Sequence, residues 1–428
     1  MSNISAPQDG IPASWDRRKI KFHLSGFFGG GTPSKDNEAF WTDGDIPWVS
    51  PKDMKRRFID SAEDQITEDA VRNSATNIVP LGSVLMVVRS GILKHSLPVA
   101  INTVPVALNQ DMKAFQFQHS LLGEFFAYWI EGQQSQKLLE WSQIGATVDN
   151  ININTMLDAR IATPDLATQR QIADFLDRET ARIDLLIEKK QRLLALLGEK
   201  FRALRHTAIA RGAPEEHQAV SGPNQWFDRV PKSWTVKPLR HVVLFQRGHD
   251  LPADARTEGK YPIYSSGGIS GTHSMCSSKA PGIVTGRYGT IGKFHFVEED
   301  YWALNTSLYS RTIYEHPKYV FYLLEDLAHI FILNSAKSAV PGVDRNDIHS
   351  ELVPVAPRAE QIAIAEHLDA LKIDLGIIEV KTNASITRLR EYRSALITAA
   401  VTGQLDVTAH ARAGTTDRQL DRLEEMDA

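Results

Sequence analysis

The sequence is short of the residues that cross-link a protein or fix it in a membrane. Its 428 residues include one cysteine, Cys276, so no intramolecular disulfide and no cluster of thiolate metal ligands can form. No apolar run approaches the roughly 20 residues that span a bilayer, and the N-terminus has no apolar stretch typical of a secretory signal. These absences predict a cytoplasmic protein without a membrane partner.

An overall basic charge is also missing. The formal net charge is −4 at pH 7, and residues 405–428 alone hold six acidic residues against three arginines. Because phosphate binding needs a local basic surface and not a basic total, the net charge neither supports nor refutes DNA binding. The acidic tail is nearly free of large apolar residues, which predicts disorder.

What the sequence does contain is a two-fold internal repeat. Matching segments recur in the same order in both halves, 219 residues apart at the start and about 190 apart at the end. The matched pairs are 12–15 with 231–234, 44–50 with 259–265, 108–109 with 304–305, 171–173 with 361–363, and 201–212 with 392–403. Each match is weak, but their collinear order indicates a duplicated module.

Each half begins with a globular part that is rich in glycine, proline and aromatic residues. Short β-type runs at 83–88 and 282–284 are separated by turn residues, and the apolar spacing of 121–139 predicts a helix. These patterns indicate a mixed α/β module with many loops.

Each half ends with a proline-free segment that predicts one long helix. Pro164 and Pro357 stand just before the predicted starts, and Gly212 and Gly403 stand at the ends as stop signals. The predicted organisation, in chain order, is a first domain (1–163), a first long helix (164–212), a linker (213–230), a second domain (231–356), a second long helix (357–404) and a disordered tail (405–428).

Apolar residues recur along both predicted helices at alternating spacings of three and four. The residues of this stripe are Leu176, Ile183, Ile187, Leu194, Leu197, Phe201, Leu204, Leu368, Leu371, Ile378, Leu389, Tyr392 and Leu396. A stripe this long favours packing of the two helices on each other as an antiparallel coiled coil of about 60 Å. Packing of each helix back onto its own domain is the alternative.

Two similar modules joined by such a helix pair suit a ligand that offers two similar sites at a fixed spacing. Duplex DNA is one such ligand, because half-sites one helical turn apart lie about 34 Å from each other on one face. A scaffold that joins two protein partners without touching DNA has the same symmetry, so this second class of function stays open.

Particular motifs in this layout resemble the specificity subunit of type I restriction-modification systems. They are the segments 31–34 and 44–54, the Gln-Ile-Ala helix starts at 171 and 361, and the closing segment 399–406. The resemblance covers residues 12 to 405. The motifs of the second domain differ from those of the first, with Arg247-Gly248-His249 and a different 259–268 segment. This difference implies that the two halves read different DNA sequences.

The resemblance implies a division of labour within a larger complex. Each globular domain is a target-recognition domain that reads one half of a bipartite, asymmetric site on double-stranded DNA. The helix pair fixes the unread spacer and docks two methylation subunits, which bind S-adenosylmethionine and methylate adenine. Two restriction subunits, which use ATP and Mg²⁺, can join through them. This implies a non-catalytic chain that binds no cofactor or metal of its own.

Motifs that could indicate an enzyme are incomplete. The glycine-rich segment 27–31 resembles a methyltransferase cofactor loop, but no catalytic Asn/Asp-Pro-Pro-Tyr/Phe motif accompanies it. The segment 286–293 resembles a phosphate-binding loop, but its glycine spacing is wrong and Phe294 replaces the Ser or Thr that would bind Mg²⁺. The fourteen histidines show no metal-ligand spacing.

Basic side chains are the DNA-binding candidates of the first domain, because Lys and Arg give affinity for phosphates and Arg also reads bases. They lie beside the 31–34 loop, in a cluster at 52–57 and around a turn at 89–91. The candidates are Lys35, Lys52, Lys55, Arg56, Arg57, Arg89 and Lys94. A solvated charged surface without a ligand is the alternative for the cluster.

The candidates of the second domain centre on a turn that matches the 89–91 turn in the repeat. They are Arg247, Ser265, Ser266, Gly267, Arg287, Tyr288 and Lys293. Glycine in such a turn lets the backbone approach a phosphate, and the arginine before it suits phosphate or guanine. An arginine that only fixes the turn by bonding a backbone carbonyl is the alternative.

Overall fold

A computed structural model describes residues 10–143, 149–212, 218–336 and 342–425. The helices of this part are α1 Glu68–Arg72, α2 Gly123–Gly132, α3 Gln134–Trp141, α4 Ile153–Asp158, α5 Leu166–Arg211, α6 Pro317–Asp326, α7 Ala328–Ser335, α8 Arg345–His349, α9 Arg358–Val401, α10 Val407–Arg412 and α11 Thr415–Glu425. The predicted long helices are α5 and α9.

The strands alternate with short loops in both domains. In the first domain they are β1 Asp16–Lys19, β2 Leu24–Gly29, β3 Ile46–Val49, β4 Phe58–Ile59, β5 Asp64–Ile66, β6 Ile78–Val79, β7 Val84–Val87, β8 Val99–Asn102, β9 Val106–Leu108, β10 Met112–Phe117, β11 Ser142–Gln143, β12 Asn150–Ile151 and β13 Arg160–Thr163. After α5 they are β14 Ala219–Asn224, β15 Phe227–Pro231, β16 Thr235–Pro238, β17 Val243–Arg247, β18 Tyr261–Ser265, β19 Gly268–His273, β20 Gly282–Gly286, β21 Phe294–Val297, β22 Trp302–Ala303, β23 Ser307–Ile313 and β24 Leu352–Val355.

The chain folds into two compact units, and each unit takes half of each long helix. The first unit contains Met1–Gln191 and Thr382–Ala428, and the second contains Arg192–Lys381. In each unit the amino-terminal half of one helix therefore meets the carboxyl-terminal half of the other, as an antiparallel pair requires. The boundary between the units runs through the middle of both helices. The predicted organisation instead places the boundaries at the helix ends.

The two domains have similar sheet topologies, although the two main sheets of the first domain each have one strand more. In the first domain the largest sheet has the order β2-β10-β7-β8-β4, and in the second domain the order is β17-β23-β20-β21. A smaller sheet in each contains one parallel pair, β3 with β9 and β18 with β22. The first and last strands of each domain also pair, β1 with β13 and β16 with β24. The predicted pair of similar mixed α/β domains is confirmed.

Two glycines of the resembling motifs are required by close backbone approach. A Cβ on Gly30 would lie 1.6 Å from the carbonyl oxygen of Asn109, and one on Gly248 would lie 2.1 Å from that of Leu304. Such contacts exclude any side chain at these positions. Gly30 of the glycine-rich segment 27–31 is thus explained by its close approach to the backbone at Asn109.

The long helices end at glycines, as their sequences predict. Gly212 has φ +82° and Gly403 has φ +72°, a conformation that favours glycine at the residue after a helix. A Cβ on Gly403 would also lie 2.5 Å from the Pro12 ring, because the chain start packs against this helix end.

Each long helix is fastened to its own domain by the same two side-chain contacts. Gln169 Oε1 accepts the backbone N–H of Leu122 at 2.8 Å, and Gln361 Oε1 accepts that of His316 at 2.8 Å. Two turns further on, a buried tyrosine donates to an aspartate. These bonds are Tyr128 to Asp177 at 2.6 Å and Tyr322 to Asp369 at 2.5 Å.

These contacts correct the repeat register at the helix start. The counterpart of Gln361 is Gln169, which is fully buried, and not Gln171, which is exposed. The sequence match of 171–173 with 361–363 is therefore displaced by two residues, because a second Gln and a second Ile-Ala pair stand close by in the sequence.

Burial varies along the predicted coiled-coil stripe. Leu176, Ile183, Ile187, Leu368, Leu389 and Leu396 are buried, and Leu194, Leu197, Phe201, Leu371 and Tyr392 are half-buried. The assignments of Leu204 and Ile378 are wrong, since 37% and 41% of these residues is exposed. The helices also pack on the second domain: Ala208 near the end of α5, and Ile364 and Leu368 near the start of α9, share one apolar core with Phe245 and Tyr319. The long helices thus form an antiparallel pair and also pack onto the globular domains.

The prediction of a disordered tail is wrong for residues 407–425. This segment forms α10 and α11, and Val407, Leu420 and Leu423 are buried. Within the first unit, Asp417 pairs with Arg182 of α5, and the His410 ring packs on Phe175 at 5.5 Å. The few large apolar residues of the tail are enough to pack it, because they lie on the buried sides of α10 and α11.

The predicted linker is wrong over residues 219–230, which belong to the second unit. There β14 and β15 pair as an antiparallel hairpin, and Phe227 and Val230 are buried in the apolar core. Residues 213–217 lie outside the described residues.

Candidate nucleic-acid interface

The basic cluster of the first domain is divided between exposed side chains and one that faces inward. Lys52 is paired with Glu63 at 3.1 Å and Asp64 at 3.0 Å, and the hydrogen bond to Asp64 raises its pKa. Arg56 pairs with Asp60 at 3.2 Å. Lys55 is exposed and makes no ion pair with a described residue.

Arg57 is turned inward and is a structural residue. Its guanidinium lies 3.3 Å from the ring centroid of Tyr128 and 2.9 Å from Glu131 Oε2, and 19% of its side chain is exposed. Arg393 of α9 binds the other oxygen of Glu131 at 2.5 Å and Asp184 of α5 at 2.9 Å. The assignment of Arg57 to DNA binding is therefore corrected, because its charge is used to join the first domain to the long helices of its own unit.

The remaining candidates of the first domain lie apart from this network. Arg89 holds the Asp111 carboxylate at 2.6 Å, although 55% of its side chain is exposed. Lys35 and Lys94 are exposed, and within the described ranges neither has an ion pair. These side chains can reach a ligand, and their role in DNA binding stays a prediction.

The second domain carries an open cleft of about 620 Å³, which we call the arginine cleft. One wall is the turn with Arg287 and Tyr288, and the other is the start of α8. A Cβ on Gly342 would lie 2.6 Å from the Tyr288 ring, so the two walls are in close contact there. Arg247 also lines the cleft, where it pairs with Asp250 at 3.2 Å.

Arg287 is a half-buried arginine that lines the cleft. Its backbone is held by two hydrogen bonds, from its N–H to the Thr306 oxygen at 2.9 Å and from the Val343 N–H to its oxygen at 3.0 Å. Its guanidinium lies over the Tyr288 ring at 4.8 Å and forms no ion pair with a described residue. Its counterpart in the repeat, Arg89, is by contrast paired with Asp111.

The other candidates of the second domain lie around the same turn or point elsewhere. Ser265 donates to the Gly268 oxygen at 3.0 Å, and a Cβ on Gly289 would lie 3.8 Å from Ser266 Oγ. The turn with Ser266 and Gly267 is thus next to the turn with Arg287. Lys293 is exposed but does not line the cleft.

Sequence reasoning missed the opposite wall of the cleft. Arg345, Asn346 and Asp347 line it and are exposed. The signal that could have found them is the Asp-Arg-Asn-Asp run at 344–347, a dense set of side chains that read bases. It has no counterpart among the repeat matches.

Two other types of site are absent from the described ranges. No group of three or more His, Cys, Asp or Glu side chains could hold a metal ion there. None of the helices described is both long enough and apolar enough to cross a membrane.

The sequence matches a known protein family over both halves. The family described as type I restriction modification DNA specificity domain matches residues 15–195 and 231–388. Each match contains one globular domain and the first part of the long helix after it. The chain belongs to this DNA specificity family.

Relatives of this specificity-family chain are specificity subunits of type I restriction enzymes. The EcoR124I/EcoR124II specificity subunit of Escherichia coli is 36% identical over 189 residues, or 44% of this chain and 47% of that protein. The MjaIX specificity subunit of Methanocaldococcus jannaschii is 28% identical over 245 residues, or 56% of this chain and 54% of that protein. The chain spans about half the length of these relatives in the matched regions.

The fold of the specificity family is also found among solved structures. A chain from work on complex assembly and conformational transition of the type I restriction-modification system matches 92% of this chain and 99% of its own length. The TM-score is 0.72 and the sequence identity is 12%. The family that the motifs predicted is confirmed by the sequence matches, and the fold by this likeness.

Proposed function

We propose that this chain is the DNA-reading subunit of a type I restriction-modification complex and that it has no catalytic activity itself. Each domain reads one half of a bipartite, asymmetric site, and the two halves are separated by a spacer of fixed length. The observation that carries the proposal is a similar fold built twice, with an arginine in different surroundings at the equivalent turn. Arg287 offers a free guanidinium there, and Arg89 is paired with Asp111.

The long helices dock two methylation subunits in this proposal. Support comes from large apolar side chains that remain exposed on them, which mark a surface for a protein partner. They are Leu185, Leu193 and Leu196 on α5, and Ile373, Ile377 and Val380 on α9. The methylation subunits bind S-adenosylmethionine and methylate adenine, and restriction subunits that use ATP and Mg²⁺ join through them.

An adaptor that joins two proteins without reading DNA is the competing function. It needs the same helices and the same exposed apolar residues, but it gives no reason for a free arginine beside a polar cleft. A salt titration distinguishes the two functions, because contacts to phosphates weaken steeply as the salt concentration rises. We expect the complex with methylation subunits to bind DNA in this salt-dependent manner.

The decisive experiment is single-molecule sequencing of adenine methylation in a host that carries this gene with its neighbouring methylation-subunit gene. The control is the same host with only this gene deleted. We expect a bipartite motif with a fixed unread spacer to disappear on deletion. Unchanged methylation, in a host where the methylation subunit is expressed, would reject the DNA-reading function and favour the adaptor.

A further inference from the structure

The arginine cleft of the second domain has a lining of mixed charge. Arg287 and Arg345 lie on its two walls, and Asp344 and Asp347 stand beside Arg345 together with the amide of Asn346. No lysine lines it. A groove that follows phosphates is lined by Lys and Arg, and two carboxylates in it would repel the DNA backbone.

Base edges in the major groove present the opposite pattern, with donors and acceptors side by side. Guanine offers two acceptors to the fork of an arginine, adenine matches the amide of an asparagine, and the amino group of cytosine donates to a carboxylate. The cleft contains all three side-chain types within one volume of about 620 Å³. Its chemistry fits base pairs better than phosphates.

The wall formed by α8 holds these side chains on a fixed backbone. The Asp344 carboxylate accepts the N–H of Asn346 at 2.8 Å, and Val343 is tied to the Arg287 turn by a hydrogen bond of 3.0 Å. Val343, Ile348 and His349 are buried beneath the wall. Because this backbone is already fixed, only the side chains lose conformational freedom on binding, which favours discrimination between bases.

The side chains that would read the bases are not engaged in the described structure. Asp344 is used to cap α8, but the Asp347 carboxylate accepts no hydrogen bond from a described residue. Arg345 is exposed and, in the same ranges, forms no ion pair. These two groups, with Arg287, remain available for a ligand at the mouth of the cleft.

We propose that the arginine cleft reads base-pair edges of the half-site recognised by the second domain, with Arg345 and Arg287 on guanine, Asn346 on adenine and Asp347 on cytosine. The proposal rests on the proposed function and adds the residues that decide sequence preference. It makes the half-site of the second domain one that contains at least one G·C pair.

The test is sequencing of the methylated motif in cells that express the complete complex with Arg345→Ala, Asn346→Ala or Asp347→Asn. Arg345→Ala and Asn346→Ala should each relax one position of one half-site by about tenfold, because a two-point contact to a base contributes that much discrimination. Asp347→Asn should relax its own position by less, because a carboxylate makes a single contact to the amino group of cytosine. The spacer and the other half-site should stay unchanged. Arg311→Ala is the matched control, since Arg311 is exposed on β23 of the same unit but does not line the cleft.

Arg345→Lys separates base reading from phosphate binding. Lysine keeps the charge but lacks the planar fork that matches guanine. A base contact should be lost in Arg345→Lys as in Arg345→Ala, and a phosphate contact should survive. Retained preference in Arg345→Lys, or uniform loss of methylation at all motif positions in the three variants, would overturn the proposal.

Failure of the proposal and failure of the proposed function give different results. If deletion of the gene leaves methylation unchanged, the DNA-reading function itself is wrong. If deletion removes the motif but the cleft variants methylate the unaltered motif at the unaltered rate, the function stands and the cleft assignment is wrong. Thermal unfolding of the purified variant complexes checks that a relaxed motif does not come from a misfolded domain.

Discussion

Arg56 and Arg57 are sequence neighbours with different surroundings. In Arg56, 59% of the side chain is exposed, with one ion pair to Asp60. Arg57 is enclosed by Tyr128, Glu131 and Asp177. Removing one partner of a partly buried ion pair costs more free energy than removing one partner of an exposed pair. The two arginines should therefore contribute unequally to stability.

We expect Arg57→Ala to lower the free energy of unfolding by roughly 2 kcal/mol, because it removes a mostly buried guanidinium from Glu131 and from the Tyr128 ring, while Arg393 still holds Glu131. Arg56→Ala is the control and should change it by less than about 0.5 kcal/mol. Urea unfolding of the full chain measures both. Equal effects of the two substitutions would show that Arg57 is not the structural residue described above.

His349 is a second residue whose surroundings determine a property of its side chain, in this case its protonation. It is 8% exposed, and its Nε2 accepts the backbone N–H of Phe245 at 2.9 Å, which requires the neutral ring. Burial, followed by the positive charges of Arg345 and Arg240, lowers its pKa below the ordinary value of 6.5. Protonation therefore competes with the fold.

A lowered folded-state pKa means that stability is complete above pH 6.5 and decreases as the pH falls from 6.5 through the lowered value. We expect the thermal midpoint of the wild type to fall between pH 7.5 and pH 5.5 by more than that of His349→Gln, which cannot titrate. Parallel pH profiles of the two proteins, measured by thermal unfolding, would contradict this assignment.

At the level of the secondary-structure elements, each long helix depends on the glutamine near its start. The side chains of Gln169 and Gln361 bind backbone groups of the domain and of the chain just before the helix. Both are buried. Removal of such a side chain leaves buried backbone groups without partners.

We expect Gln169→Ala to cost about 1–3 kcal/mol of stability, since a buried donor and acceptor lose their partner. Gln171→Ala, two residues away on the exposed face, should be nearly neutral. Chemical unfolding of the two variants decides between the register from the structure and the register from the sequence match. A larger effect of Gln171→Ala would restore the sequence register.

At the level of the whole molecule, the proposed function uses the long helices to set the spacer of the DNA site. Removing one heptad from the middle of both α5 and α9 shortens each by about 10 Å. That length corresponds to about three base pairs of duplex DNA. The half-sites should be unchanged, because the domains and their glutamine and tyrosine contacts are untouched.

Sequencing of the methylated motif measures this prediction directly. We expect the spacer to become about three base pairs shorter. Removal of a heptad from α5 alone is the control, since mismatched helices lose their packing and should not yield an active complex. An unaltered spacer in an active complex with both helices shortened would reject the idea that the helices measure the site.

The sequence by itself determined the repeat, the fold class, the family and the positions of the long helices. These follow from local signals, because prolines and glycines bound the helices, apolar periodicity defines their faces and collinear matches reveal duplication. The repeat itself was predicted correctly, but its register at Gln169 was wrong by two residues. The error arose because short similar segments lie next to each other in the chain.

Only the tertiary structure decided which charged side chains are available. Arg57, Lys52 and Arg89 look alike in the sequence, but their neutralising partners Glu131, Asp64 and Asp111 are brought to them by distant strands and helices. The same holds for the arginine cleft, where Arg287 and Arg345 meet across 58 residues of chain. Pairing and burial of charge depend on contacts distant in sequence, and a linear pattern does not contain those distances.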